Sequence, residues 1–274
     1  MTGHMGVQSH GRDHYAAVMS ERDDIGGEAQ LPDVVRSVVS LVPSLTEAVA
    51  ASDAGLLAGV TKYCTHPGSL AAERIGGTKN PDVQRIIAIG PDVVLANEEE
   101  NREPDLAALR AAGLAVWVTR IRTLPEALES LERMLAVACR LPRPAWLGAA
   151  AAAWNEVRPV GRPRPAVVPI WRRPWMVLGS DTFAGDLLAR LGVANLYADH
   201  AERYPRVDLA ELNGSGAELV VLPDEPYTFS AEDGPEAFPG MPAALVSGRH
   251  LTWYGPSLAE ASAVLAAQLA SAGR

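Results

Sequence analysis

Short apolar runs alternate with segments of helical periodicity along most of this chain. In the first half the predicted elements are, in chain order, strand 38–42, helix 45–54, strand 57–61, helix 81–90, strand 92–96, helix 105–112 and strand 114–119. Strands that alternate with helices at this spacing are typical of βαβ units and a parallel sheet. The pattern therefore predicts an N-terminal α/β lobe over residues 36–121.

The pattern changes over residues 122–158, where no strand interrupts the helical period. Thr123 and Glu126 are spaced as a capping box at the start of a helix that continues to Ala138. Pro142 and Pro144 break this helix, and an alanine-rich helix follows. At about 1.5 Å per residue the segment is long enough to cross a small domain, so it predicts an interdomain helical connection.

The alternation of strands and helices restarts after this connection. The predicted elements of the second half are strand 166–170, helix 182–190, helix 209–212, strand 218–222, strand 243–246 and helix 257–270. They predict a C-terminal α/β lobe over residues 159–274. The predicted fold class is α/β, with two Rossmann-like lobes built on central parallel sheets and joined by a long interdomain helix.

The strand-to-helix junction at residues 42–47 is predicted to form one edge of a binding site. Ser44 and Glu47 are spaced as a capping box in which Ser44 opens the helix. Free N–H groups and the positive end of the helix dipole point outward at such a junction, beyond the carboxyl end of the strand.

The composition excludes several classes of protein. The chain has 274 residues, 48% of them hydrophobic, and its net charge of −9 argues against nucleic acid as a partner. Two cysteines, Cys64 and Cys139, do not indicate a disulfide framework. Because no run of about 18 apolar residues occurs, we expect no membrane insertion.

Residues 1–35 are polar, with charges scattered throughout, and they predict a disordered tail. Metal binding by His4, His10 and His14 is an alternative for this tail. The segment lacks the apolar core of about 7–15 residues that a secretory signal needs. We therefore expect a cytoplasmic protein; the alternative is an extracytoplasmic protein whose start site is misplaced.

Ligands of parallel α/β lobes bind beyond the carboxyl ends of the strands, so the loops there supply candidate binding residues. Aromatic residues concentrate in these loops, and flat apolar surfaces with a polar tip suit a large, planar, amphipathic ligand. Lys79 is a candidate to meet an anionic group of the ligand. The candidate ligand-binding residues are Ser44, Tyr63, Cys64, His66, Gly77, Thr78, Lys79, Asn97, Glu100, Trp171, Arg172, Trp175, Tyr227, Trp253 and Tyr254.

Cys64 and His66 are the sharpest local signal, because they stand two residues apart, within reach of one metal or one corrin or heme face. A thiolate and an imidazole suit zinc, copper or cobalt. Two ligands do not make a site, and the further candidates are Glu98, Glu99, Glu100 and His250. A cysteine–histidine nucleophile and base is an alternative without an evident third group, and a purely structural loop is another.

Several segments of the chain resemble one family. They are SLVPSLTE at 40–47, GVTKYCTHP at 59–67, IGGTKNPDVQRIIAIGPDVVLA at 75–96, LGSDTFAGDLLARLGVANLY at 178–197 and SLAEASAVLAAQL at 257–269. Together with the long helix after Thr123, they resemble the class III, helical-backbone solute-binding proteins of ABC transporters. Within that family the chain is most similar to the branch that binds vitamin B12 and ferric siderophores.

The resemblance implies the class III periplasmic-binding-protein fold, with a ligand in the cleft between two lobes and no catalytic residues. The implied ligand is a cobalamin-like corrinoid or another metal chelate, bound as cargo and not as a catalytic cofactor, with His66 or Cys64 as an axial contact of its metal. The implied partners are this small molecule and an ABC permease, and a monomer is expected. The alternative function is a cytoplasmic enzyme or sensor of corrinoid or metal metabolism that uses Cys64 and His66.

Overall fold

The computed structural model describes residues 18–159 and 161–272. The described chain opens with a hairpin of β1 (Val18–Arg22) and β2 (Glu28–Pro32). The prediction of a disordered tail is therefore wrong from residue 18 onward. The tail histidines His4, His10 and His14 lie outside the described residues.

Asp23, in the hairpin loop, anchors the hairpin to the first lobe. Its buried carboxylate accepts the N–H of Gly27 at 2.6 Å within the loop and the N–H of Val118 at 3.2 Å in the adjoining sheet. Ala29 and Leu31 alternate on the buried face of β2. Apolar burial and a well-satisfied carboxylate thus order a segment whose composition alone predicts disorder.

The first lobe is built on five parallel strands. Its elements are β3 (Val38–Ser40), α1 (Pro43–Asp53), β4 (Leu57–Val60), β5 (Glu73–Arg74), α2 (Val83–Ile89), β6 (Val93–Asn97), α3 (Glu103–Ala111) and β7 (Val116–Thr119). The strand order is β5-β4-β3-β6-β7, and every pair is parallel. Every residue of β3, β6 and β7 is buried, as is typical of a parallel sheet covered on both faces.

Helix α1 begins at Pro43, one residue before the predicted cap. Val42 occupies the N-cap position without a side-chain hydrogen bond, so the predicted capping box of Ser44 and Glu47 is wrong. Proline favours the first helical position, because its fixed φ suits the helix and its missing N–H is not needed there. Ser44 and Glu47 are therefore free to contact the second lobe.

Two consecutive helices connect the lobes. The first, α4 (Leu124–Arg133), begins with the predicted capping box: Thr123 Oγ1 accepts the Glu126 N–H at 3.3 Å, and Glu126 Oε2 accepts the Thr123 N–H at 3.2 Å. It continues as a π-helical turn, Met134–Ala138, and α5 (Ala145–Asn155) follows. The connecting helix is thus divided where the sequence places its two prolines.

The second lobe is built on four parallel strands. Its elements are β8 (Arg164–Val167), β9 (Pro169–Trp171), β10 (Met176–Val177), α6 (Phe183–Arg190), β11 (Val193–Asn195), α7 (Leu209–Gly214), β12 (Leu219–Pro223), β13 (Ala243–Val246), α8 (Gly248–Thr252) and α9 (Leu258–Ala270). The strand order is β11-β8-β12-β13. β9 and β10 form a separate antiparallel ribbon that ends at Trp171.

One hydrophobic core runs through both lobes and their connection. Leu45 of α1, Leu147 of α5 and Leu265 of α9 all belong to it. Trp154 Nε1 of α5 also donates to the Leu258 carbonyl of α9 at 3.0 Å. Packed helices therefore make a stiff frame for both lobes. The lobe boundaries after residues 121 and 158 stay predictions, and in the described ranges no helix has the length and apolar character to cross a bilayer.

Two topological switch points fix where a ligand can bind. In the first sheet the chain places β4 on one side of β3 and β6 on the other. In the second sheet β11 and β12 flank β8 in the same way. The crevices beyond the carboxyl ends of these strands are the ligand sites of open α/β sheets.

Replacing Asp23 by alanine should destabilise the fold, because the N–H groups of Ile25, Gly27 and Val118 lose their acceptor. We expect the free energy of unfolding in urea to fall by about 2 kcal/mol. Glu28→Ala is the control, since the exposed Glu28 makes only a 3.6 Å ion pair with exposed Arg22; it should cost less than about 0.5 kcal/mol. Equal effects of the two substitutions would contradict the anchoring role.

Candidate ligand-binding cleft

Loops from both lobes meet along one cleft beyond the carboxyl ends of the sheets. The Ser44 hydroxyl, in the first turn of α1, lies close enough to the phenol of Tyr254 to oppose the rise that burial causes in the pKa of that phenol. His66 packs edge-on against Trp253, with ring centroids 5.5 Å apart. Because Ser44 and His66 belong to the first lobe and the other two residues to the second, these four candidate residues are brought together across the cleft.

Asn97, at the end of β6, supports the floor of the cleft from below. Its buried Oδ1 accepts the N–H groups of Glu99 at 2.9 Å and Glu100 at 3.3 Å. Its Nδ2 donates to the carbonyl and the hydroxyl of Thr119, both at 3.1 Å. Asn97 therefore shapes the loop of residues 98–100 and is not presented to a ligand, which differs from the sequence prediction.

Ion pairs join the lobes at the floor. Arg122, which precedes α4, contacts Glu98 at 2.6 Å and Asp181 of the second lobe at 3.2 Å. Arg203 contacts Glu99 at 3.1 Å, and its Nε donates to the Asp181 carbonyl at 2.8 Å. Both guanidinium groups are largely buried, whereas the side chains of Glu98 and Asp181 are 41% and 62% exposed.

A second bridge joins the lobes between α1 and α8. Glu47 forms an ion pair with Arg249, and both side chains are largely buried. His250, which sequence analysis names as a further metal-ligand candidate, lies beside this pair with its ring nitrogens 2.8 Å from Ser247 Oγ and 3.1 Å from Glu260 Oε1. Its imidazole therefore contacts Ser247, which precedes α8, and Glu260 of α9.

The buried Tyr254, the partly buried Tyr204 and Glu100 complete the floor. Burial raises the pKa of Tyr254 well above its usual value, and Glu100 and Glu99 raise it further. Burial likewise raises the pKa of Tyr204, with Glu99 acting in the same direction. Burial raises the pKa of Glu100 as well, although the Lys79 ammonium opposes this shift. The floor thus combines uncharged phenols with carboxyl groups.

Exposed aromatic rings from both lobes flank the mouth of the cleft. Tyr63 of the first lobe is 53% exposed, and Trp171 of the second is 42% exposed. Trp171 packs edge-on against Tyr227, with ring centroids 5.6 Å apart. A Cβ atom at Gly77 would approach the Tyr63 ring to 3.2 Å, so the absence of a side chain there lets the ring lie against the backbone.

The loop of residues 77–79 is tied to the floor. The Thr78 carbonyl accepts a hydrogen bond from Asn101 Nδ2 at 3.0 Å. The Lys79 ammonium donates to the carbonyl of Glu99. Lys79 therefore forms a hydrogen bond within the protein, whereas the sequence predicts that it meets an anionic group of the ligand.

Trp175 and Arg172 lie behind the mouth. Trp175 stacks on Phe229 at a centroid distance of 6.1 Å, within a small core separate from the main one. Arg172 forms ion pairs with Asp233 and, at 2.6 Å, with Glu236. Both residues stabilise the segment next to Trp171, and we expect them to act on a ligand through that segment.

Cys64 is not at the surface of the cleft, which differs from the sequence prediction. Its thiol is completely buried, 3.0 Å from Thr46 Oγ1 and 3.2 Å from Thr61 Oγ1, while His66 is exposed. The loop thus places Cys64 in the core and His66 at the surface. The two side chains therefore do not form a shared metal site or a nucleophile–base pair. Within 18–159 and 161–272, no group of three or more His, Cys, Asp or Glu side chains is arranged to hold a metal ion.

Four residues of the cleft are not among the candidates predicted from the sequence, namely Arg122, Arg203, Tyr204 and Glu225. Arg203 and Tyr204 follow β11, a short strand that the apolar pattern does not predict, so their loop is not nominated. Glu225 follows the predicted strand β12 and accepts the indole N–H of Trp253 at 2.9 Å. The loop of residues 224–229, which contains Glu225, is predicted to face a ligand because it follows a strand, although Glu225 is not among the named candidates.

Known proteins are similar to this chain in sequence. No family model matches the chain. The vitamin B12-binding protein of Vibrio cholerae serotype O1 is 24% identical over 191 residues, which cover 66% of this chain and 68% of that protein.

Solved structures match over more of the chain. The periplasmic vitamin B12 binding protein of Vibrio cholerae matches with a TM-score of 0.66 at 18% identity, over 86% of this chain and 97% of that one. A periplasmic heme binding protein from Pseudomonas aeruginosa matches with a TM-score of 0.70 at 24% identity, over 87% of this chain and 94% of that one.

These findings correct one prediction and confirm two. The expected cytoplasmic location is wrong, because the similar solved structures are those of periplasmic proteins and point to an extracytoplasmic location. The predicted fold class and the predicted resemblance are confirmed. The chain has the two-lobed α/β fold of the class III, helical-backbone solute-binding proteins and resembles the branch of that family that includes vitamin B12- and heme-binding members.

Proposed function

We propose that this protein is a solute-binding protein that holds a cobalamin-like corrinoid or another planar metal chelate in the cleft between its lobes. The observation that carries the proposal is that each lobe presents an exposed aromatic ring, Tyr63 after β4 and Trp171 at the end of β9. Large flat rings with a polar edge suit a macrocycle of similar shape. The names of the relatives, which bind vitamin B12 or heme, support the same class of ligand.

The candidate residues take two roles in this proposal. Tyr63, His66, Trp171, Tyr227 and Trp253 flank the ligand at the mouth. The floor offers it hydroxyl and carboxyl groups. The residues of the floor are Ser44, Thr78, Glu100, Tyr204 and Tyr254.

His66 is the proposed axial contact of the ligand's metal. Its ring is exposed, and its Nδ1 lies 3.1 Å from the Thr65 hydroxyl, which leaves Nε2 free to face the cleft. A neutral imidazole nitrogen is a common ligand of cobalt and iron. Cys64 has no part in this contact, because its thiol is buried beneath the loop.

A stiff frame suits the role of a receptor. We expect this frame to change little when a ligand binds. A continuous core and two interlobe ion-pair groups hold the lobes together. We propose that the loaded protein delivers its ligand to an ABC permease outside the cytoplasm.

Removing the Trp171 ring should weaken binding while leaving the fold intact. We expect Trp171→Ala to bind hydroxocobalamin or hemin, whichever the wild type takes up near one per chain, about tenfold more weakly in a titration followed by absorbance. Trp146→Ala is the matched control, since that partly buried tryptophan on α5 contacts Ser52 at the far end of α1. No uptake of either chelate by the wild type, or equal losses in both variants, would contradict the proposal.

Replacing His66 should change the spectrum of the bound ligand. In hydroxocobalamin an exchangeable water occupies one axial position, and an imidazole that replaces it shifts the absorption bands. We expect this shift with the wild type and with Cys64→Ser, and its loss with His66→Ala. A shift that survives in His66→Ala, or that disappears in Cys64→Ser, would refute the assignment of the axial contact to His66.

A further inference from the structure

The cations around the cleft are already paired within the protein. Four arginines at the cleft or directly behind it contact carboxylates, and Lys79 donates to a backbone carbonyl. The pairs are Arg122 with Glu98 and Asp181, Arg203 with Glu99, Arg249 with Glu47, Arg172 with Asp233 and Glu236, and Lys79 with the Glu99 carbonyl. Each of these cations thus has an internal acceptor within contact distance, although the buried Arg122 Nη1 and Arg249 Nε have no hydrogen-bond partner in the described part of the chain.

Two carboxylates of the cleft have no such partner. Across the described part of the chain, no lysine, arginine or histidine nitrogen lies within 4.0 Å of the carboxylate of Glu100 or Glu225. Glu225 accepts one hydrogen bond, from the Trp253 indole at 2.9 Å. Burial raises the pKa of both carboxyl groups, and the cations that face them, Lys79 for Glu100 and His66 and Arg249 for Glu225, oppose this shift without cancelling it.

Two cations at the mouth, Lys62 and Arg173, do not offset this surplus. Both side chains are exposed, and the Lys62 ammonium lies 5.0 Å from the centroid of the Tyr63 ring. Exposed charges are screened by water and salt, whereas the partly buried carboxylates at the floor are screened less. The cleft therefore offers a ligand two carboxyl groups that no cation of the described chain approaches within 4.0 Å.

We propose that the cleft selects a metal chelate whose edge carries uncharged amide groups and rejects one whose edge carries carboxylates. This inference rests on the proposed function and narrows it: a corrinoid with peripheral primary amides fits, and a heme with two propionates does not. Glu100 and Glu225 act as specificity residues, because a carboxylate only accepts hydrogen bonds and a primary amide donates two.

The discrimination has an attractive and a repulsive part. An amide N–H that reaches Glu100 or Glu225 forms a charge-assisted hydrogen bond. A ligand carboxylate in the same place meets a like charge in a partly dehydrated site, and the arginines nearby already form ion pairs with carboxylates of the protein. The repulsive part is electrostatic, so salt must weaken it.

A matched pair of ligands tests this proposal. Cyanocobalamin is compared with the derivative in which one peripheral amide is hydrolysed to a carboxylate, so that ring and size stay the same. At about pH 8 and low salt, we expect the wild type to bind the monocarboxylate roughly tenfold more weakly. The difference should shrink to within about twofold at roughly 0.5 M salt.

Isosteric variants connect the effect to the two glutamates. Glu100→Gln and Glu225→Gln, singly and combined, should bring the two affinities to within about twofold at low salt. The side-chain amide oxygen introduced by Glu225→Gln still offers an acceptor to the Trp253 indole. Glu218→Gln removes the same charge from an exposed position at the amino end of β12, where Glu218 pairs with Arg162 at 2.7 Å, and should leave the discrimination unchanged.

The outcomes separate this inference from the function on which it rests. Equal affinity of the wild type for both corrinoids, or tighter binding of hemin than of cyanocobalamin, would overturn the charge selection while the solute-binding function stands. A preference that neither salt nor the glutamine variants alter would also overturn it. If neither corrinoid nor hemin binds, the proposed function itself fails, and the charge selection fails with it.

Discussion

The structure depends most on the ion pairs that join the two lobes at the floor of the cleft. Arg122 reaches Glu98 on one side and Asp181 on the other, and Arg203 reaches Glu99. These contacts hold the loop after β6 against the second lobe, and Asn97 fixes that loop from below. Together with the continuous core, they hold the loops of both lobes in place, so little binding energy is spent on ordering these loops.

The same pairs decide the chemical character of the cleft. Arg122, Arg203 and Arg249, which bridge the lobes, each contact a carboxylate of the protein. In the described part of the chain, by contrast, no cation lies within 4.0 Å of the carboxyl groups of Glu100 and Glu225. The tyrosines beside them stay protonated, because burial raises their pKa. Interlobe rigidity and ligand selection thus have one physical origin: the cations that stabilise the frame cannot also compensate an anionic ligand.

Sequence patterns predict the frame of this fold well and its long-range contacts poorly. Buried parallel strands appear as apolar runs, and the Thr123 capping box is local, so both can be predicted. The hairpin escapes prediction because its order depends on Asp23 reaching Val118, far along the chain. Glu47 has the spacing of a cap, yet it pairs with Arg249 of the other lobe. Cys64 is buried by Thr46 and Thr61, and the spacing to His66 carries no information about burial.

The central claim is that one ligand contacts both lobes at the mouth of the cleft. A crystal structure of the protein with bound cyanocobalamin tests it most directly. The account predicts a corrin ring that touches Tyr63 and Trp171 at once, with peripheral amides directed at Glu100 and Glu225 and with the Arg122 and Arg203 ion pairs intact. A ligand that contacts one lobe alone, or lobes that separate by breaking those ion pairs, would contradict it.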